Sequence, residues 1–175
     1  MEFQGFPKIP RYSRECCITE KIDGTCSQIA IDEEGNIQFG SKNRWLTPEA
    51  DNFGFCKWCL ERKEELLKLG PGHHFGEFWG QGIQRGYGLK EKRFSLFNTR
   101  KWNYPAVRPA CCHVVPVIMQ GMFSSRLVHE AMDVLNLGSW AAPGFFEPEG
   151  IVIYHTAGNL LFKKTFRGDE KGKGE

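Results

Sequence analysis

The chain has 175 residues, 25% charged and 41% hydrophobic, ordinary values for a globular protein with one substantial core and one domain. A formal net charge of +2 gives no global basic field, so any polyanion has to be met by local clusters of cations. No segment reads as a signal peptide or spanning helix, and seven cysteines, an odd number, exclude a fully paired disulfide framework, which places the expected compartment in the reducing cytoplasm.

Residues 1–14, with Pro7, Pro10 and two arginines, suit an irregular lead-in. A strand is predicted over 16–19, followed by Glu20-Lys21-Ile22-Asp23-Gly24-Thr25, a lysine between an acid and a glycine turn. Alternating residues at 27–31 and 36–40 flank Asp32-Glu33-Glu34-Gly35, a hairpin signal. Thr47-Pro48-Glu49 opens a helical stretch over 52–69 with Phe55, Leu60 and Leu67 near one face, and Gly70-Pro71-Gly72 ends it. A strand over 74–79 precedes residues 80–88, whose four glycines predict a mobile loop, and another strand follows at 94–97. Residues 100–109 read as loop and 114–119 as strand despite Pro116. Leu127, Val128, Ala131, Met132 and Leu135 keep helical spacing over 124–137, with Gly138 as the stop. A hairpin over 150–155 and 159–166 closes the pattern around Thr156-Ala157-Gly158. The expected fold class is α+β, two mostly antiparallel sheets flanked by helices.

Cys56-x-x-Cys59 with Cys111-Cys112-His113 raises a zinc reading. Against it, Cys56 and Cys59 lie in an amphipathic helical stretch, where cysteine is a small buried hydrophobe, and adjacent cysteines make a poor second pair of ligands.

A lysine amine is a poor nucleophile at its ordinary pKa of about 10.4. Desolvation or a nearby cation favours the neutral form that can attack. Lys21 stands in the first of six segments that follow one another in a recognisable order: Glu20–Thr25, then Gly40-Ser41-Lys42-Asn43-Arg44-Trp45, Phe75-Gly76-Glu77-Phe78-Trp79-Gly80, Arg93-Phe94-Ser95-Leu96-Phe97-Asn98, Pro148-Glu149-Gly150-Ile151-Val152-Ile153 and Leu161-Phe162-Lys163-Lys164-Thr165-Phe166. Taken singly, each has a plainer reading: Phe97 as core, Glu77 as a solvent-facing strand carboxylate, Glu149 as a turn cap, Lys163 and Lys164 as a solvated strand face.

Together the six resemble the nucleotidyltransferase (adenylation) domain of ATP-dependent polynucleotide ligases, and within them the RNA ligases. The resemblance implies that Lys21 becomes covalently adenylated in a Lys-x-Asp-Gly motif that includes Asp23. It implies that Lys42 and Arg44 meet ribose or phosphate, Glu77 lies beside the ribose, and Phe97 stacks on adenine. Glu20 would read the adenine amino group, Glu149 would bind magnesium or manganese, and Lys163 and Lys164 would face the α-phosphate. The implied reaction passes AMP from ATP to Lys21, then to an RNA 5′-phosphate, and ends when a 3′-hydroxyl displaces AMP, as in RNA repair. The substrate is RNA with 5′-phosphate and 3′-hydroxyl ends, with DNA as the alternative; no membrane is involved, and a monomer is expected.

Three departures stand out. Lys163 and Lys164 are adjacent where the family commonly has Lys-x-Lys, so they point to opposite faces and Lys163 is the preferred phosphate contact. Lys42 stands where arginine is frequent, losing a bidentate fork. The chain ends nine residues after Phe166, so the expected organisation is an adenylation domain over 1–168 and a frayed charged tail over 169–175, without an OB or other C-terminal domain. Two other readings remain open, a minimal DNA nick ligase core and a nucleic-acid-end binding module that binds nucleotide without sealing.

Overall fold

A computed structural model describes residues 1–169. In chain order its strands are β1 (Glu15–Lys21), β2 (Thr25–Ile31), β3 (Ile37–Ser41), β4 (Gly72–Gly80), β5 (Lys92–Leu96), β6 (Cys112–Val114), β7 (Val117–Met122), β8 (Gly150–His155) and β9 (Leu160–Thr165). The helices are α1 (Phe55–Leu60), α2 (Lys63–Leu66), α3 (Thr99–Trp102) and α4 (Ser125–Leu135). The chain forms two compact units, one from Met1–Lys21, Val117–Trp140 and the residues from Phe146 on, the other from Ile22–Pro116 and Ala141–Phe145.

The first unit holds an antiparallel sheet in the order β7-β1-β8-β9. Period-two alternation turns Cys16, Ile18, Ile151 and Ile153 to one face, where they pack with Ala131, Met132 and Leu135 of α4. That helix starts where the Ser124 hydroxyl accepts the Leu127 N–H, and it stops before Gly138 at φ 140°. The second unit is built on the sheet β3-β2-β4-β5-β6, antiparallel except for the parallel pair β5–β6. Phe55, Trp58, Phe78, Phe94 and Leu96 form its main core, and Ile22, Trp79, Tyr87, Val115 and Ala142 a smaller cluster. The expected mixture of α and β with two mostly antiparallel sheets is what the chain adopts, although its apolar residues gather in three clusters rather than one core.

Four local expectations change. The helix expected over 52–69 starts at Phe55, breaks at Arg62 (φ −122°, ψ 15°), and ends in one turn of 3-10 helix, Leu67–Leu69. Arg62 lies over the Trp58 ring and donates to the Trp58 carbonyl, finishing α1 so that both pieces turn Phe55, Trp58, Cys59 and Leu66 inward. Leu60, expected on that face, is 46% exposed. Residues 114–119 are not one strand: Pro116, which has no N–H to donate, separates β6 from β7, and the two join different sheets. Within 100–109, Asn98 caps the single turn α3, and Trp102 enters the core at 3% exposure.

All seven cysteines are free, with Cys56 and Cys59 buried as the helical reading required. Burial pushes the Cys59 thiol well above its ordinary range, and among the described residues no three His, Cys, Asp or Glu side chains gather to hold a metal. No helix among them is long and apolar enough to cross a membrane. Of the tail expected over 169–175, only Asp169 lies within the described residues; its carboxylate accepts from the Thr165 N–H and Lys164, which hold it below the usual carboxylate range.

Candidate active site

In the first unit, β1 delivers Lys21 at its last residue, paired with Gly150, which is paired in turn with Thr165. The Lys21 ammonium donates to Glu149 Oε2 at 2.6 Å, with both side chains partly buried. Gly150 is required here: a Cβ would run into the Lys164 carbonyl and lie 2.7 Å from Thr165 Cα, and φ is 154°. That close approach keeps β9 tight against β8 at the residue beside Glu149.

The register separates the two lysines of β9. Lys163 pairs with Val152, which pairs with Thr19, two residues before Lys21, so Lys163 shares a sheet face with Lys21. Lys164 pairs with Ile151 on the opposite face and forms an ion pair with Asp169 at 3.2 Å. Of the two lysines, Lys163 lies on the face of Lys21 and Lys164 does not.

Glu20 also falls on the face opposite Lys21. It is 1% exposed, and its carboxylate accepts from the Ser139 hydroxyl at 2.6 Å and the Trp140 N–H at 2.8 Å. The carboxylate expected to read adenine ties the segment after α4 to the end of β1. Strand periodicity already contained this signal, since adjacent strand residues face opposite ways.

The second unit carries Asp23, Glu77, Phe97, Lys42 and Arg44. Glu77, on β4, faces Cys26 of β2 and accepts the Gly24 N–H at 3.1 Å. Burial, then the Glu77 carboxylate, push the Cys26 thiol up, while the Lys42 ammonium pulls it down. A Cβ on Gly24 would lie 2.5 Å from the Phe78 carbonyl, so only glycine allows the turn to press against β4. Phe97 is 41% exposed rather than core, and its N–H donates to the Phe75 carbonyl. Phe75, whose carbonyl accepts that bond, is itself 49% exposed.

Arg44 is engaged elsewhere. Its guanidinium donates to the Ala50 carbonyl at 2.5 Å and the Asp51 carbonyl at 3.1 Å, closing the loop after β3. Sequence reasoning also missed Arg85, which donates to Asp23 Oδ2 at 2.8 Å, and Tyr87, whose hydroxyl accepts the Asp23 N–H at 2.8 Å. The signal was an arginine and a tyrosine among glycines in a stretch read only for its mobility.

The first unit thus carries a strand-end lysine paired with a carboxylate, and the second a glycine turn backed by a strand glutamate. The RNA ligase family model matches residues 14–166, and the chain belongs to the RNA ligase family. Among curated protein sequences, none matches significantly.

Solved structures of a Naegleria gruberi RNA ligase share the fold. A glutamate-to-alanine mutant with ATP and Mn aligns at TM-score 0.63 and 19% identity over 89% of this chain and 51% of that one. A lysine-to-methionine mutant with AMP and Mn aligns at 0.60 and 19% over 88% and 50%, and a lysine-to-alanine mutant in the apo form at 0.61 and 21% over 87% and 50%. The chain spans about half the length of these structures.

Proposed function

We propose that this chain is an ATP-dependent RNA ligase whose nucleotidyltransferase chemistry runs through a covalent AMP on Lys21. The observation that carries the reading is the Lys21–Glu149 contact of 2.6 Å inside a segment matched by the RNA ligase family. The Lys21 amine attacks the α-phosphorus of ATP, a lysyl-AMP bond forms, and pyrophosphate leaves. Glu149 holds the amine in one position beforehand and is within reach to take up the proton that Lys21 must lose. Lys163, on the same sheet face, is the cation suited to the α-phosphate oxygens. Glu77 accepts from ribose hydroxyls, Lys42 meets phosphate or ribose, and Phe97 offers a face for adenine, a contact worth about 1–3 kcal/mol for a stacked base. AMP then passes to an RNA 5′-phosphate and is displaced by a 3′-hydroxyl.

Glu149 is also the residue that would hold magnesium or manganese. The fit rests on its donor type: one hard carboxylate, with no protein cage among the described residues, suits an ion that keeps its waters and takes the remaining ligands from phosphates. Such an ion, when bound, neutralises phosphate charge.

The test is sealing of RNA strands with 5′-phosphate and 3′-hydroxyl ends, beside nicked DNA, in the presence of ATP. Joined RNA that vanishes in Lys21→Ala supports the reading. Joining of nicked DNA alone would favour a DNA nick ligase, and nucleotide binding without adduct or joining would favour an end-binding module.

A further inference from the structure

The glycine-rich stretch over 80–88 is packed rather than loose. Gly80 and Ile83 form a bridge, the Gly86 N–H donates to the Ile83 carbonyl, and the Leu89 N–H donates to that of Gly86. Ile83 is fully buried, and the Tyr87 ring stands edge-on to Trp79 at 5.0 Å and against Phe145 at 4.6 Å. Two non-glycine residues, Gln84 at φ 45° and Tyr87 at φ 54°, adopt the left-handed backbone that L side chains disfavour. They flank Arg85. This unfavourable geometry aims both Arg85 and Tyr87 at a single residue, Asp23.

This stretch holds two groups of Asp23. Its carboxylate accepts from Arg85 Nε at 2.8 Å, and its N–H donates to Tyr87 Oη at 2.8 Å. The next N–H, that of Gly24, donates to Glu77. The N–H groups of Asp23 and Gly24 are thus held by side chains, and one of the two acceptors, Tyr87, is itself locked in an aromatic cluster. A hydroxyl on a ring gripped on two sides is a fixed point, whereas a solvent-exposed acceptor would let the turn rock.

We propose that Arg85 and Tyr87 are positioning residues for self-adenylation: the strap over 80–88 fixes the backbone and the carboxylate direction of Asp23 in the Lys-x-Asp-Gly turn. The proposal rests on the ligase reading above. It differs from a merely structural role in what it affects. A surface ion pair with both partners about one-third exposed adds little to stability, so replacing Arg85 should leave the thermal midpoint where it was. Misplacing the residue two positions along the chain from Lys21 instead lowers the rate at saturating ATP.

The experiment follows AMP incorporation into the full chain against ATP concentration for wild type, Tyr87→Phe, Arg85→Ala and Arg85→Lys, with thermal midpoints for each. Tyr87→Phe keeps the ring and removes only the oxygen that accepts the Asp23 N–H. Saturating rates are expected to fall about tenfold in Tyr87→Phe and Arg85→Ala, with half-saturating ATP within about twofold of wild type. Arg85→Lys should recover most of the rate, because it restores a cation to Asp23. Wild-type rates in Tyr87→Phe and Arg85→Ala would overturn the proposal while leaving the ligase reading intact, and so would a loss confined to half-saturation. A wild-type chain that takes up no AMP would overturn the ligase reading and the positioning role with it.

Discussion

Glu20, Lys21 and Glu149 show how one strand end divides its work. Lys21 and Glu20 are neighbours in sequence, yet the strand period sends one to Glu149 and buries the other on Ser139 and Trp140. Glu20→Ala is expected to leave those two donors unsatisfied, a loss of about 1–3 kcal/mol. Because a domain of this size loses roughly 2–4 °C per kcal/mol, the thermal midpoint should fall by several degrees. Half-saturating ATP should hardly change in the fraction that remains folded; a large rise without loss of stability would return Glu20 to the nucleotide. Glu149→Gln keeps size and hydrogen bonding but cannot take a proton, so adenylation should drop by at least about a hundredfold. An unchanged rate with an unchanged metal requirement would remove Glu149 from the chemistry. What was legible from sequence is the placement that follows from strand alternation, with Lys163 on the sheet face of Lys21 and Lys164 on the other. Arg44 was not legible, because its donors close a loop through the Ala50 and Asp51 carbonyls, partners that no side-chain pattern announces.

At the level of elements, β8 and β9 depend on a glycine. Gly150→Ala would force a Cβ into the Lys164 carbonyl, so β9 must move away just where Glu149 precedes β8. A cost of about 1–3 kcal/mol is expected, with loss of adenylation exceeding loss of folded protein. β4 carries a pH-sensitive group at His74, whose ring Nε2–H donates to the Gly70 carbonyl. Burial holds this imidazole below the ordinary histidine value of 6.5. The unfolded chain therefore takes up the proton first as pH falls, and stability present above about 6.5 is lost as pH drops through the folded value. The thermal midpoint should fall between pH 7 and 5, and by less in His74→Gln; an equal fall in both would place the titrating group elsewhere. α4 and the strands other than β6 and β7 were legible because alternation and capping are local. The break at Arg62 and the packed strap were not: each depends on a ring supplied by the fold, Trp58 in one case and Trp79 in the other.

For the whole molecule, the proposed RNA substrate would have to be held by local cations, since the net charge is only +2. Arg100 and Lys101 are exposed on α3, with the Lys101 ammonium 4.3 Å from the centre of the buried Trp102 ring. Arg100→Ala with Lys101→Ala should leave self-adenylation intact, weaken RNA joining, and flatten its dependence on log salt by roughly 1.4 for two lost single-strand phosphate contacts. Equal joining at every salt concentration would locate the RNA elsewhere. The central claim is simpler and more exposed: this chain carries its nucleotide on Lys21. The most direct measurement is mass spectrometry of the intact chain and its peptides after incubation with ATP and magnesium or manganese. The expected result is one added AMP, mapped to the peptide that contains Lys21 and lost in Lys21→Ala; an unmodified chain, or AMP that persists in that mutant, would contradict it.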